Sequence, residues 1–253
     1  MSRFAGKVAV VTGAGRGIGA ATATELAKGG GALALNDVDE ARLSETAEAL
    51  RAHGVQVTTH VGSVMEADFI RRFVDEAIAA HGKVDLLVNN AGGGPPMTPW
   101  AEFAKSEFAH FRAIFEMNFF TQAMLLHALL PGMVERGYGK IVCVSSMSAV
   151  LGQESGSAYA SGKLALHALV SSVSKEVARH GVNINAVVLG NPPHPSRTPE
   201  RQAYLDKLSH FDRVGRLDEF GKAIAFLLSD DASYISGAAV PIDGGLIAPR
   251  LNE

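Results

Sequence analysis

The segment "KVAVVTGAGRGIG" at residues 7–19 is an apolar run that leads directly into closely spaced glycines. Gly13, Gly17 and Gly19 follow a Gly-x-x-x-Gly-x-Gly spacing. Because glycine has no Cβ, such a turn lets backbone N–H groups and the N-terminus of the next helix approach a phosphate closely. The stretch therefore predicts a strand, a phosphate-binding turn and a helix, although a glycine motif alone is also compatible with an ordinary turn.

The next apolar run, "ALALND" at residues 32–37, ends in Asp37. A carboxylate at this place accepts hydrogen bonds from the ribose hydroxyls of adenosine and repels a 2′-phosphate, which favours NAD over NADP. Arg16, inside the glycine turn, argues for the opposite preference. We give Asp37 more weight because its repulsion of a phosphate is strong at short range. The alternative role for Asp37 is a helix N-cap, which Asp39 can serve equally well.

Short apolar runs recur along the rest of the chain, separated by segments of helical period. Most of the runs are continuous rather than alternating, as in strands buried on both faces of a parallel sheet. They lie at residues 7–13, 31–37, 55–61, 83–90, 139–146, 182–190 and 238–245. The pattern predicts one doubly wound, Rossmann-like α/β domain over residues 1–253, with about seven parallel strands flanked by helices.

Composition narrows the possible partners. The net charge of −3 gives no reason to expect nucleic acid or an anionic membrane. We expect no apolar run long enough to span a bilayer and no signal peptide, because the strand pattern begins almost at once. A single cysteine, Cys143, excludes an internal disulfide and a thiolate-rich metal site, so we predict a core role for it and no metal. A cytoplasmic protein is the expectation.

Three polar residues carry a possible chemistry. Tyr159 and Lys163 lie four residues apart in "SAYASGK", on one face if the segment is helical. A phenol has an ordinary pKa near about 10, and a nearby ammonium favours its ionised form. Ser146, thirteen residues before Tyr159, can hydrogen-bond and orient the same substrate oxygen. Hydride transfer between nicotinamide and a carbinol carbon requires such a proton shuttle.

These motifs, in their order along the chain, resemble the short-chain dehydrogenase/reductase family over nearly all of its length. The matching segments are "TGAGRGIG" at 12–19, "NNAG" at 89–92, Asn118, Ser146 and Tyr159-x-x-x-Lys163. The resemblance implies that Tyr159 is the general acid/base and that Ser146 orients the substrate oxygen. It also implies that Lys163 supports Tyr159 and binds the nicotinamide ribose, and that Asn118 is linked to the lysine through water. It further implies a homo-oligomer, a tetramer or a dimer, with long helices at 103–130 and 158–180 as contact surfaces.

The predicted cofactor is NAD, with NADP possible. The predicted cofactor-binding residues are Gly13, Gly15, Arg16, Gly17, Ile18, Gly19, Asp37, Asn90, Ala91, Gly92, Tyr159, Lys163, Gly190 and His194. The chain departs from the family pattern at Gly62 and Ser63, where relatives usually carry Asp and an apolar residue, so a contact to the adenine amino group should be missing. His194 stands where relatives carry a Thr that touches the nicotinamide carboxamide, and either substitutes for it or is a solvated loop residue.

The proline-rich stretch "GNPPHPSRTPE" at 190–200 predicts a surface loop, and we expect a substrate loop or lid at about 190–213. The predicted substrate residues are Met97, Met147, Gln153, His194 and Tyr204. This largely apolar set favours a hydrophobic or ring-containing secondary alcohol or ketone. Arg197 or Arg213 meets a substrate carboxylate or is simply solvated. An NADPH-dependent biosynthetic ketoreductase and a non-catalytic NAD-binding scaffold or sensor remain alternatives.

Overall fold

The computed structural model describes residues 2–93 and 100–248. Its strands are β1 (Val8–Thr12), β2 (Ala32–Asp37), β3 (Val57–Val61), β4 (Leu86–Asn89), β5 (Gly139–Ser146), β6 (Val182–Leu189) and β7 (Ala239–Ile242). They form one parallel sheet in the order β3-β2-β1-β4-β5-β6-β7. The predicted seven-stranded, doubly wound sheet is therefore confirmed. The strand order reverses between β1 and β4, where open α/β sheets bind their ligands.

Helices cover both faces of the sheet. They are α1 (Gly17–Lys28), α2 (Glu40–Arg51), α3 (Ala67–His81), α4 (Phe108–Phe115), α5 (Thr121–Arg136), α6 (Ser148–Leu151), α7 (Ser157–Val177), α8 (Pro199–Asp206) and α9 (Leu217–Leu227). One core joins the sheet to α1, α2 and α9 through residues such as Leu26, Leu43 and Ile224. The opposite core joins it to α3, α5 and α7 through residues such as Phe73, Leu125 and Val170.

The helix predicted over 103–130 is wrong in detail. The segment begins with a 3-10 turn at Phe103–Lys105, and α4 and α5 are joined by a π-helical segment, Glu116–Phe120. Hydrophobic periodicity carries no signal for the i→i+5 pattern of a π-helix, which frequently occurs at functional sites. The helix predicted at 158–180 is observed as α7 followed by a 3-10 turn at Ala178–His180.

The continuous helical stretch Phe108–Arg136 is long and apolar enough to cross a membrane by length and composition. This corrects the expectation that no segment approaches that length. A core helix of a soluble protein passes the same test. Leu125, Leu129 and Met133 of this stretch are buried against the sheet, so its apolar character is in part that of a core helix.

The segment after β6 is partly helical. The surface-loop prediction for 190–200 is wrong for its last two residues, because Pro199 and Glu200 open α8. Thr198 caps this helix by accepting a hydrogen bond from the Arg201 backbone N–H at 3.2 Å. A proline is well tolerated at the first helical position, where its missing N–H has no intrahelical partner in any case.

Candidate active site

The turn after β1 is shaped by glycines that no other residue can replace without strain. Gly13 and Gly17 have φ of 62° and 60°, in the left-handed region. A Cβ on Gly19 would lie 2.1 Å from the Gly13 carbonyl oxygen, so α1 starts directly against the turn. Asn90 Nδ2 closes the turn from β4 by donating to the carbonyls of Thr12 and Gly13, at 2.9 and 3.2 Å. No atom lies within 4 Å of where a Cβ on Gly17 would stand, so the N-terminus of α1 is open to an approaching phosphate group.

Asp37 lies at the end of β2 and faces this turn. Its Oδ2 accepts a hydrogen bond from the Gly15 backbone N–H at 2.8 Å, and its Oδ1 accepts one from Asp39 N–H at 3.1 Å. Asp39, not Asp37, caps α2, by accepting from the Arg42 backbone N–H. The N-cap alternative for Asp37 is therefore wrong. Arg16 is exposed at the turn. That it contacts a 2′-phosphate stays a prediction.

Lys163 and Asn118 meet beside Gly92, below the carboxyl end of β4. Asn118 is fully buried on the π-helical segment; its Oδ1 accepts from Gly93 N–H at 2.9 Å, and its Nδ2 donates to Gly93 and Ile114 carbonyls. A Cβ on Gly92 would lie 2.9 Å from Asn118 Oδ1 and 3.0 Å from Lys163 Nζ. The glycine therefore leaves room for both side chains. Lys163 Nζ itself donates to the Val144 carbonyl at 2.8 Å.

Ser146, the last residue of β5, belongs to a short chain of polar groups. Its Oγ accepts from the Ser148 backbone N–H at 3.2 Å and lies 3.3 Å from Ser148 Oγ. Ser148 Oγ in turn donates to Gln153 Oε1 at 2.8 Å. The sequence singled out Gln153 for the substrate and passed over Ser148, yet here the two side chains hold the serine that was predicted to orient the substrate.

Burial changes the proton affinity of the two other reactive groups. It raises the pKa of Tyr159, while a hydrogen bond from Ser146 acts to lower that pKa. Burial lowers the pKa of Lys163 to about 8. The pKa of the buried Cys143 thiol is raised to about 12, so this group stays neutral in the core, as predicted. Lys163 Nζ lies 5.8 Å from the centre of the Tyr159 ring. Lys163 therefore lies next to the phenol and loses its proton at a lower pH than an ordinary lysine.

A cavity of about 1030 Å³ collects most of the predicted residues. Those that line it are Ile18, Asn90, Gly92, Ser146, Met147, Gln153, Tyr159, Lys163, Gly190, His194 and Tyr204. Asn118 and Ala91 stand just behind the wall, since they bond Gly93 and Thr12 respectively. The remaining predicted cofactor residues form the glycine turn or, like Asp37, bond to it. Met97 lies outside the described residues.

The cavity also includes Trp100, which the sequence places at the substrate pocket, and residues that the sequence did not single out. Trp100 packs edge-on against Tyr159, with ring centres 5.7 Å apart. Glu154, Arg201 and Asn191 line the wall as well. Arg201 and Tyr204 lie three residues apart on α8, so their side chains share one face of the helix. The sequence predicted a loop at the start of this segment and therefore gave no reason to pair them. Arg213, by contrast, lies outside this cavity and is paired with Glu219 at 2.8 Å.

The site and the fold together define a class: a Rossmann-like oxidoreductase with a phosphate-binding turn and a serine, a tyrosine and a lysine around one cavity. A family model described as short chain dehydrogenase matches residues 7–203. The chain belongs to the short-chain dehydrogenase/reductase family.

Individual relatives cover almost the whole chain. A cis-4-hydroxycyclohexanecarboxylate dehydrogenase of Sinomonas cyclohexanicum is 36% identical, over 97% of this chain and 98% of the relative. A cyclohexanol dehydrogenase of Acinetobacter sp. (strain SE19) is 28% identical over 96% of each chain. The crystal structure of an NAD+-bound xylitol dehydrogenase superimposes with a TM-score of 0.90 at 30% identity, covering 96% of this chain and 100% of that one. The protein is accordingly an NAD(P)-dependent oxidoreductase that interconverts secondary alcohols and ketones.

Proposed function

We propose that this enzyme uses NAD to oxidise a secondary alcohol on a ring to the ketone, and reduces the ketone in the reverse direction. The observation that carries the proposal is the convergence of Ser146, Tyr159 and Lys163 on one cavity at the carboxyl ends of the strands. The ring preference is supported by the apolar wall groups Met147 and Trp100 and by the relatives, two of which are named for cyclohexane-ring alcohols.

When bound, the nicotinamide accepts or supplies the hydride. Tyr159 takes the proton from the alcohol oxygen, or returns it to the ketone oxygen. Ser146 hydrogen-bonds that oxygen and keeps it in line with the phenol. Lys163 favours the ionised phenol through its positive charge, and Asn118 keeps the loop at Gly93 fixed beside the lysine. The residues of the glycine turn would hold the pyrophosphate of the cofactor.

The decisive experiment follows NADH formation with cyclohexanols and aliphatic secondary alcohols in wild type and in Tyr159→Phe. We expect turnover of ring alcohols to fall by about a hundredfold or more in the variant, since general acid–base catalysis contributes roughly 10²–10⁴-fold. NADH binding, measured by fluorescence, should stay within about twofold. Retained activity would refute the role of Tyr159, and NADH binding without turnover of any alcohol would favour the scaffold or sensor alternative.

For the cofactor, the carboxylate of Asp37 supports NAD. Its position at the glycine turn would place it against a 2′-phosphate, and the repulsion is strong at short range. Arg16 supports the NADPH-dependent ketoreductase alternative. Initial rates with NADH and NADPH at matched concentrations separate the two, and equal or better turnover with NADPH would overturn the preference for NAD.

We further propose a cytoplasmic homo-oligomer with a lid formed by residues 190–213. Association is supported by the exposed aromatic rings Phe108 and Phe120 on the α4–α5 stretch and by an apolar groove of about 690 Å³ between α3, α5 and α7. Light scattering after size-exclusion chromatography tests this. A dimer or tetramer that Phe120→Asp converts to monomers is the expected result, and a wild-type monomer would contradict it.

A further inference from the structure

Two arginines line the active-site cavity from the segment after β6. Arg197 lies just before α8, and Arg201 lies in its first turn. The guanidinium of Arg201 stacks at 4.9 Å over the ring of Tyr204, a third wall residue. Arg197 Nη1 donates to the neutral amide oxygen of Gln202 at 3.1 Å. Both cations are therefore held in place at the cavity by groups that carry no charge.

Neither arginine has an ion-pair partner among the described residues. Within residues 2–93 and 100–248, no carboxylate oxygen lies within 4.0 Å of either guanidinium. Arg213, a few residues further on, shows the contrast, because both of its terminal nitrogens bond Glu219 at 2.8 Å. Partial burial and the charge of Arg201 lower the pKa of Arg197, and the more distant Asp206 only partly opposes this. Two unpaired cations close together favour an anion between them.

The chemistry of the pair selects the kind of anion. A guanidinium presents a planar fork of N–H donors that matches a carboxylate with two parallel hydrogen bonds. The phosphates of a dinucleotide have their own place at the glycine turn after β1, on other elements of the fold. Glu154 is the acidic side chain on the same cavity wall and opposes an anion, but Arg197, Arg201 and Lys163 outnumber it.

We propose that Arg197 and Arg201 form a subsite for a carboxylate on the substrate, so that the enzyme prefers ring alcohols or ketones that carry an acid group away from the reacting carbon. This inference rests on the proposed function for its substrate ring, but not for the binding of the anion. Arg197 and Arg201 act in recognition and take no part in proton or hydride transfer.

The kinetic test compares 4-hydroxycyclohexanecarboxylate with its neutral carboxamide. In the double variant Arg197→Met/Arg201→Met, kcat/KM for the carboxylate should fall roughly ten- to hundredfold through KM, as expected for the loss of charge-assisted hydrogen bonds. The values for the carboxamide, and kcat for both compounds, should stay within about twofold. The matched control is Arg213→Met, which removes a charge from the same segment but outside the cavity and should leave the discrimination unchanged.

A binding test does not depend on turnover. Trp100 is the single tryptophan of the chain and lines the cavity, so its fluorescence reports the titration of unreactive cyclohexanecarboxylate. Wild type should bind the carboxylate at least about tenfold more tightly than cyclohexanecarboxamide, and the double variant should lose this difference. Equal binding of the two compounds to wild type, or an equal loss of both in the variant, would overturn the subsite.

The two tests also separate this inference from the proposed function. Selective carboxylate binding without turnover of any ring alcohol would refute the function and leave the subsite standing. Turnover of neutral and acidic ring alcohols with equal kcat/KM would support the proposed function and refute the subsite. A variant that loses affinity for NADPH but not for the carboxylate would assign the arginines to a cofactor phosphate, and the inference would be wrong.

Discussion

The Gly15 backbone N–H donates a 2.8 Å hydrogen bond to Asp37 Oδ2, which ties the acid at the end of β2 to the glycine turn after β1. A Cβ on Gly15 would lie 2.9 Å from the same oxygen, so the glycine allows this approach. The residue that we expect to select the cofactor therefore also shapes the turn. A substitution at this position has two effects, and an experiment on cofactor choice must separate them.

Asp37→Asn and Asp37→Ala make that separation. Asparagine keeps an acceptor for Gly15 but removes the charge, so we expect the ratio of kcat/KM with NADPH to that with NADH to rise by about tenfold at nearly unchanged stability. Alanine should raise the ratio as well and, in addition, lower the free energy of unfolding by about 1–2 kcal/mol through the lost hydrogen bond. Steady-state kinetics and urea denaturation measure the two effects. An unchanged cofactor ratio in Asp37→Asn would contradict the electrostatic argument.

The buried charge of Lys163 should lower the free energy of unfolding, although the lysine is needed for function. It is 3% exposed, and burial lowers its pKa from 10.5 to about 8. Between about pH 8 and 10.5 the unfolded chain binds more protons at this group than the folded one, so this group makes stability rise with pH across that window. Below pH 8 the cost is at its full value of about 3 kcal/mol.

Lys163→Met should therefore be inactive yet about 1–2 kcal/mol more stable than wild type at pH 7, after allowance for the lost hydrogen bond to Val144. The advantage should vanish near pH 10.5. Denaturant unfolding at both pH values measures it. Lys140→Met is the matched control: burial lowers the pKa of this lysine as well, but Asn183 and Asp230 hold its ammonium, so its replacement should stabilise the protein at pH 7 by less than Lys163→Met does. If Lys163→Met is less stable than wild type at pH 7, interactions within the folded protein offset the cost of burying the ammonium, and the prediction is wrong.

Ser148 should act on catalysis through Ser146. Its backbone N–H and hydroxyl both meet Ser146 Oγ, and its hydroxyl is itself fixed by Gln153. Ser148→Ala keeps the backbone contact and removes the hydroxyl, so kcat should fall about fivefold, the equivalent of roughly 1 kcal/mol, with little change in KM. Gln153→Leu should reproduce the effect if the chain of hydrogen bonds matters. A rise in KM alone in Gln153→Leu would instead return that residue to substrate binding, as the sequence predicts.

The sequence predicted the fold well because the five inner strands, β1, β2, β4, β5 and β6, are buried on both faces, and continuous apolar runs report that burial directly. The catalytic candidates could also be predicted from the sequence, since Tyr159 and Lys163 are related by one helical turn and Ser146 ends a strand. Contacts between segments that are distant in the chain could not be predicted from the sequence. The bond from Gly15 to Asp37 and the placement of Arg201 at the cavity depend on how loops and α8 pack, whereas Arg197 was already a candidate for a substrate carboxylate. The π-helical segment that carries Asn118 has no signature in hydrophobic periodicity.

The departure from the family pattern at Gly62 has a structural reason. A Cβ on Gly62 would lie 2.2 Å from the ring of Phe69, which is 4% exposed and stacks on Phe73 in the core. Asn36 Nδ2 also holds the Gly62 carbonyl, at 3.0 Å. The Asp that relatives carry here therefore cannot be introduced without moving a core aromatic side chain. The packing of α3 against β3 is therefore a physical reason to expect that the contact to adenine is missing.

Gly62→Asp alone should lower the free energy of unfolding by about 1–3 kcal/mol, the usual cost of overpacking, and should not tighten NADH binding. Combining it with Phe69→Ala removes the clash, so the double variant should bind NADH more tightly than Phe69→Ala does, by about fivefold for one added hydrogen bond. Phe69→Ala is thus the reference for affinity, because it carries the same core cavity. NADH fluorescence titrations and thermal unfolding give the two quantities. Tighter NADH binding by Gly62→Asp alone, at unchanged stability, would mean that Phe69 yields easily and that packing does not explain the glycine.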